Sequence, residues 1–441
     1  MRSSHSLDRL GVAFDEAQLV ADAGLLLPAT LAQHLGLKEL VERHLDLGAK
    51  PGRANVGDKL LSLVFSALAG GDTIDDANAL RAGGTSRILG FTAKAASTVG
   101  TFLRSFRWGH VRQLDAVSRH LLGKAWAAGA GPGSAPFTID LDSTICETYG
   151  LQKEGALHHG YTKVRGYHPL LAVAAGSGDV LMARLREGRA NTVRGAAHFL
   201  RETIGRVRAA GATGELTMRA DSGFYAHDVV AVCRAMDVRF SITLRQHKSV
   251  RGLIEAIPET DWTPIPYWIT GGADVAEIAY TPFAGHKNAV PVRLIVRRVK
   301  PTPGSQLALF TLYDYHGFIT DRAGEMLTLE ADHRRHAEIE NAIRDLKYGM
   351  GLNHLPSGKF AANAAWLAVQ VIAHNLARWT ARIGLGAGIV TAKTLRRRLF
   401  GLAGRLTRSA RRWTLHLPER WPWKAEFEQA LAKLRAIPLL A

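Results

Sequence analysis

"FTIDLDSTI", residues 137–145, sets two carboxylates, Asp140 and Asp142, into a run that otherwise reads as a β-strand. Successive strand side chains point to opposite faces, so the two aspartates share one face while Phe137, Ile139 and Leu141 take the other. Paired negative charge on one strand face is either solvated or held together by metal ions or a titrated proton. The remainder of the chain decides between these.

A length of 441 residues with 47% apolar content predicts a globular protein of two to four domains with ample core. The formal charge of +17 favours a polyanionic partner, most simply nucleic acid. An anionic membrane is the competing partner, but no run of about 18 apolar residues occurs. The first twenty residues are interrupted by Asp8, Asp15 and Glu16, unlike a signal peptide. A soluble cytoplasmic protein with no membrane contact is expected. Cys146 and Cys233, the only cysteines, show no paired ligand spacing, which argues against a disulfide framework and a cysteine zinc site. Both are expected to be buried.

Residues 1–130 read as a helical region: "PATLAQHLGLKELVERHL" and "VGDKLLSLVFSALAGG" carry apolar residues at three-to-four spacing. Arg104 and Arg107, in "STVGTFLRSFRWGHVRQLDAVSRHLL", are its candidate DNA contacts. The linker "AAGAGPGSAPF" then opens a segment, 131–245, of order βββαβαβ: three strands ("FTIDLDSTI", "YHPLLAVAAG", "VLMARLREG"), a helix over 192–210, the strand "ELTMRAD", the helix "AHDVVAVCRAM" and the strand "VRFSITLR". Residues 246–318 read as a β-rich insertion, with prolines among runs such as "VAEIAYT", "PVRLIVRRV" and "LALFTLY". Residues 319–385 return to helix, one spanning 328–348 with an apolar stripe at Ile339, Ile343, Leu346 and Met350, and then a long buried one. The tail, 386–441, reads as basic and helical. Between 393 and 424 it has ten Lys/Arg against one Glu, interleaved with Trp413, Trp421 and Trp423, which favours contact with a phosphate backbone over a merely solvated face. Its candidates are Arg396, Arg397, Arg398, Arg405, Arg408, Arg411 and Arg412.

Asp142 ends the first of these strands, Asp221 ends "LTMRAD", and Glu340 lies on "HRRHAEIENAIRDLK". If the two strands are neighbours and the helix crosses them, three carboxylates converge. Such a cluster repels itself unless divalent cations occupy it, two of them roughly 3.5–4 Å apart in phosphodiester chemistry. Hard oxygen ligands suit Mg²⁺.

"DLDST", "RADSGFY" and "E-x-x-I-R-D-L-K" resemble the three motif blocks of DDE transposases of bacterial insertion sequences, in the group with a β-strand insertion between the second Asp and the Glu. "LLSLVFSALAGGDTIDDANALR", "STVGTFLRSF", "GYHPLLAVAAGSGDVLMARLREGRAN" and "RLTRSARRWTLHLP" are similar to that group too, so the resemblance covers most of the chain. It implies an α/β, ribonuclease-H-like mixed sheet core with a β-rich insertion, flanked by helical N- and C-terminal regions. It implies Asp142, Asp221 and Glu340 as catalytic, metal-binding residues and two Mg²⁺ ions, with Mn²⁺ as a substitute. The reaction implied is hydrolysis at the transposon ends and transfer of the 3′-hydroxyl into target DNA by a cut-and-paste route. The implied partners are duplex DNA, as terminal inverted repeats and target, with a homodimer on that DNA near the nucleoid.

This broad class carries a tyrosine seven residues before the glutamate, an arginine four before and a lysine seven after. Lys347 matches; His333 and His336 stand at the other two positions. The offsets put all four side chains on one helix face, and Arg344 lies beside them in the motif. Asp140 is expected to support the site or to pair with a buried basic residue. Arg219 offers Asp221 a structural ion pair as an alternative to catalysis, and Glu340 is expected to be half-buried. Other chemistries are discounted: "HRRH" lacks a third zinc ligand, Glu330 and His333 form only one E-x-x-H, and "LHHGY" reads as a loop. Trp262 and Trp268 are read as core residues of the insertion before base-stacking ones. The rival functions are a non-catalytic DNA-binding descendant and, less favoured, a carboxylate-pair hydrolase.

Overall fold

The computed structural model describes residues 7, 10–49, 53–268, 271–287, 289–300 and 313–439. Ahead of the linker, the described residues form a strand fragment, β1 (Leu19–Val20), and six α-helices: α1 (Leu26–His34), α2 (Leu37–His44), α3 (Val56–Ala69), α4 (Thr85–Leu89), α5 (Ala96–Arg104) and α6 (Trp108–Ala125). Helix α3 is buried on nearly all sides, its polar residues included: the buried Asp58 pairs with Lys38 (2.8 Å) and Lys94 (3.0 Å). Gly70, at φ 105°, ends it in the left-handed conformation that glycine adopts without strain.

The stretch 137–145 becomes β2 (Phe137–Ser143), an interior strand of the main sheet. A small sheet follows, from β3 (Cys146–Glu147), β4 (Leu157–His158) and β5 (Arg165–Tyr167), in the order β3-β5-β4. "LHHGY" is therefore partly a strand. The chain continues through β6 (Leu170–Ala174), β7 (Val180–Arg184), α7 (Ala196–Ala209), β8 (Leu216–Ala220), α8 (His227–Ala235) and β9 (Arg239–Thr243). These strands stand in the order β7-β6-β2-β8-β9, with β2, β8 and β9 parallel and β6 antiparallel to both of its neighbours. This is the ribonuclease-H-like mixed α/β core that the resemblance implies.

The next elements are α9 (Lys248–Glu255), β10 (Thr263–Ile265), β11 (Ala273–Tyr280), β12 (Val292–Val299) and β13 (Asp314–Thr320). They do not stand apart: β13 pairs antiparallel with β9, extending the sheet as β10-β11-β12-β13-β9 to nine strands. The extension covers backbone groups of β9 that a bare edge would expose. Pro301, Pro303 and all of "LALFTLY" except Tyr313 lie outside the described residues.

The helix expected over 328–348 is a continuous helical run whose winding changes three times. It comprises α10 (Met326–Arg334), a 3₁₀ turn over Arg335–Glu338, α11 (Ile339–Arg344) and a π turn over Asp345–Gly349. Ile339, Ile343, Leu346 and Met350 are buried, as the stripe predicts. In the wide turn Asp345 accepts from the Ala392 N–H (3.0 Å) and faces Arg378 (3.5 Å). Helix α12 (Phe360–Leu385), which carries Arg378, is buried along most of its length.

The basic tail is not simply helical. After α13 (Ala392–Leu395) it forms a hairpin, β14 (Gly404–Ser409) and β15 (Arg412–His416), to which β1 adds a third strand, and then α14 (Lys424–Arg435). In the first half of β14 one face is covered: Gly404 and Leu406 are buried while Arg405 between them is exposed, the alternation of a strand. Trp421 and Trp423 pack against the core, and α14 lies so close to α12 that a Cβ on Gly384 would stand 3.0 Å from that of Ala430.

The two faces of the core sheet differ in chemistry. Leu141, Ala172 and Met182 are cross-strand partners on one face, and Met182 meets Thr203 of α7 there (3.4 Å). On the other, Asp140, Arg219, Ser241 and Thr320 form a buried row across four strands beneath the α10–α11 run.

Candidate active site

Strand register brings the two aspartates together. Asp140 stands opposite Arg219 and Leu141 opposite Ala220 on the parallel strands β2 and β8. One residue further, Asp142 and Asp221 leave the ends of adjoining strands. Asp142 accepts from the Ser143 N–H (2.6 Å), and Asp221 caps the turn Ser222–Phe224 by accepting from the Gly223 N–H (2.9 Å).

Burial pushes the Asp142 carboxyl up to about 6, with the Asp221 and Glu340 charges adding to it; the Ser143 N–H and His336 oppose the rise. Glu340 therefore acts on Asp142 from α11. Its own side chain is exposed, not half-buried as expected, because Ile339 and Ile343 take the inward positions of that turn. Among the described residues neither lysine nor arginine forms an ion pair with Asp142, Asp221 or Glu340. Nor do any three His, Cys, Asp or Glu side chains stand close enough to hold one ion. The donor set, carboxylate oxygens without cationic partners, nevertheless suits a hard divalent cation.

Asp140, by contrast, is neutralised. Arg219 donates to it from Nε (2.8 Å) and Nη2 (2.9 Å), and the Nδ1 of His336 lies 3.1 Å from its Oδ1. Arg219 also reaches Asp332 (3.1 Å), so it is not the partner of Asp221.

His333 packs onto the sheet. It bonds Ser241 (2.7 Å) and Thr243 (3.0 Å) and stacks on Phe318 with ring centroids 4.1 Å apart. Burial holds its pKa well below the ordinary value, aided by His336 and nearby arginines. The ring is thus neutral and held by the sheet. Lys347 donates to the Ile145 carbonyl (2.9 Å) and reaches Thr144 (3.5 Å), tying the helix to the chain just after β2. Arg344 is exposed, bonds Asn341 (3.0 Å) and lines a cavity of about 940 Å³ beside the helix.

The candidate DNA contacts divide. Arg104, Arg107, Arg397, Arg398, Arg405, Arg408, Arg411 and Arg412 are exposed. Arg408 lies over Trp413 and Arg398 over Trp423, each at 5.6 Å. Arg396 differs from the other candidates: it donates to the carbonyls of Leu68 (3.1 Å) and Gly349, and burial lowers its pKa. It ties the π turn to α3 and is spent on that role. Trp262 is buried under Arg298, as a core residue should be, whereas Trp268 is exposed.

Sequence patterns missed the residues behind the aspartates. His168 bonds Ser143 (2.9 Å), and Arg186 holds the loop that follows β7. No local spacing marks either one, since their partners are distant in the chain.

No curated protein matches the sequence. Among solved structures the chain is similar to the piggyBac transposase in a cryo-EM synaptic complex with hairpin DNA. The identity is 11% and the TM-score 0.48, over 86% of this chain and 79% of that one. The family model described as transposase DDE domain group 1 matches residues 3–439, and the chain belongs to that family of DDE transposases.

Proposed function

We propose that this protein is a DNA transposase that cuts a mobile element at its terminal inverted repeats and joins the freed 3′-hydroxyl to target DNA. Asp142, Asp221 and Glu340 are its catalytic carboxylates and hold two Mg²⁺ ions. The observation that carries this reading is the uncompensated carboxylate pair at the ends of β2 and β8, faced by Glu340. Bound there, divalent cations supply an activated water and a stabilised leaving oxygen. Asp142 and Asp221 are presented from rigid strand ends, and Glu340 from a helix that Lys347 fastens to the chain after β2. Exposed arginines of the β14–β15 hairpin and of α5–α6 attract the duplex, in keeping with a charge of +17. Two ends are to be cut together, so a homodimer on DNA is proposed.

The test is nicking of the element's own ends. Cleavage is expected with Mg²⁺ or Mn²⁺, none in EDTA, and none by Asp142→Ala, Asp221→Ala or Glu340→Ala, while all three bind the same DNA like the wild type. Full cleavage by Asp221→Ala overturns the triad.

A further inference from the structure

We propose that Arg186 is a positioning residue that, through the loop 187–194, sets the separation of Asp142 and Asp221. The inference rests on the metal-binding role given to those aspartates above.

Arg186 lies just beyond β7. Its Nε donates to the His168 carbonyl (3.0 Å), and its Nη1 meets the carbonyls of Asn191 (3.1 Å), Thr192 (2.9 Å) and Arg194 (3.1 Å). Nη2 is buried with no partner among the described residues. A desolvated guanidinium ordinarily sits against a carboxylate. Here carbonyl dipoles take that place, and burial together with the Arg194 charge brings its pKa down to about 10. A cation bound this way organises backbone.

The backbone it organises reaches the neighbours of both aspartates. The Ala190 carbonyl accepts from His168 Nδ1 (2.8 Å). Burial lowers the His168 pKa to about 4. The neutral ring, protonated on Nδ1, then accepts the Ser143 hydroxyl at Nε2 (2.9 Å). The N–H of the same Ser143 is the donor to Asp142 (2.6 Å). At the other end, a Cβ on Gly223 would come within 2.8 Å of Thr192 Cγ2 and 3.0 Å of Asp221 Oδ1. Thr192, Gly223 and the Asp221 carboxylate thus share one small space. Gly188 lets the loop lie directly on the small sheet: a side chain there would strike the carbonyls of Leu157 and Gly166 at 2.1 and 2.2 Å.

The β2–β8 pairing ends at Leu141 and Ala220, before either aspartate. Beyond that point this loop links the two strand ends, and Arg186 holds its shape.

The test is Mn²⁺ binding by the full-length protein without DNA, followed by calorimetry, alongside thermal melting and the Mn²⁺ concentration for half-maximal cleavage. Arg186→Met is expected to melt cooperatively, to bind Mn²⁺ about 10–100-fold more weakly, as supporting partners of metal ligands do, and to need correspondingly more metal for cleavage. Arg186→Lys, whose single ammonium cannot span the separate carbonyls, is expected to restore binding only partly. Thr192→Gly keeps the carbonyls bonded to Arg186 but removes the packing against Gly223, and is expected to weaken Mn²⁺ binding in the same direction. Wild-type affinity in a folded Arg186→Met protein, or in Thr192→Gly should Arg186→Met not fold, overturns the proposal. Absence of Mn²⁺ binding by the wild type, or binding unchanged in Asp142→Ala, overturns the metal site itself, and this inference with it.

Discussion

Asp140 and Arg219 face each other across the parallel strands β2 and β8, joined by bonds of 2.8 and 2.9 Å where each is only 1% exposed. Asp140 thereby spends its charge on the fold, while Asp142, two residues on, keeps its own.

Breaking that pair leaves a buried arginine without its main partner. Asp140→Ala is expected to lower unfolding stability by about 3–5 kcal/mol, read from denaturant titration. Asp140→Asn, which keeps an acceptor, should lose less. Cleavage by the folded fraction should weaken without vanishing in either variant. An Asp140→Ala protein as stable as the wild type would remove Asp140 from its structural role.

Asp142 predicts a pH effect of definite sign. Its carboxyl titrates near 3.8 when unfolded and at about 6 in the fold. A raised folded value favours the protonated form, so its contribution is fully present below about pH 4 and is lost as pH rises through 6. Asp142→Asn is therefore expected to be more stable than the wild type at pH 7.5 in EDTA, by at most about 3 kcal/mol, with the difference closing below about pH 4. Thermal melting across pH 4–8 measures it, and Mn²⁺ should raise the melting temperature of the wild type only.

His333 carries the opposite sign. Its folded pKa is depressed, so its contribution is present above the ordinary histidine range and is lost as pH falls below it. Nitrogen NMR of the ring at pH 5.5 is expected to show a neutral imidazole. A charged ring at that pH would contradict its burial against Ser241 and Phe318.

The arginines of the tail should separate in a salt titration of DNA affinity. Charge reversal at Arg408 or Arg412, both exposed, is expected to weaken binding and to reduce the slope of log affinity against log salt by about 0.9 for each phosphate no longer neutralised. Arg396→Ala should lower the melting temperature and leave that slope unchanged, because its guanidinium bonds backbone carbonyls.

Local alternation and charge made the central strands, the helices around them and the acidic residues at strand ends legible in the sequence. The alternation of Ile139 and Leu141 with Asp140 and Asp142 is a property of neighbouring residues, so the chain alone specifies which faces they take. The hairpin of the tail was not legible in the same way: its arginines drew attention to charge, while burial of Leu406 depends on what packs against it.

Pairings between distant residues belonged to the tertiary structure. Asp140 and Asp142 are alike in sequence, and only the Asp140–Arg219 register decides which is neutralised. His333 and Glu340 share a helix face by period, yet one meets Ser241 and Phe318 and the other is exposed near Asp142. The sequence by itself determined which groups carry charge and which side of an element they occupy. Burial and partners, which decide whether a carboxylate is quenched or left for a cation, depend on chain segments far apart and exist only once those segments are packed.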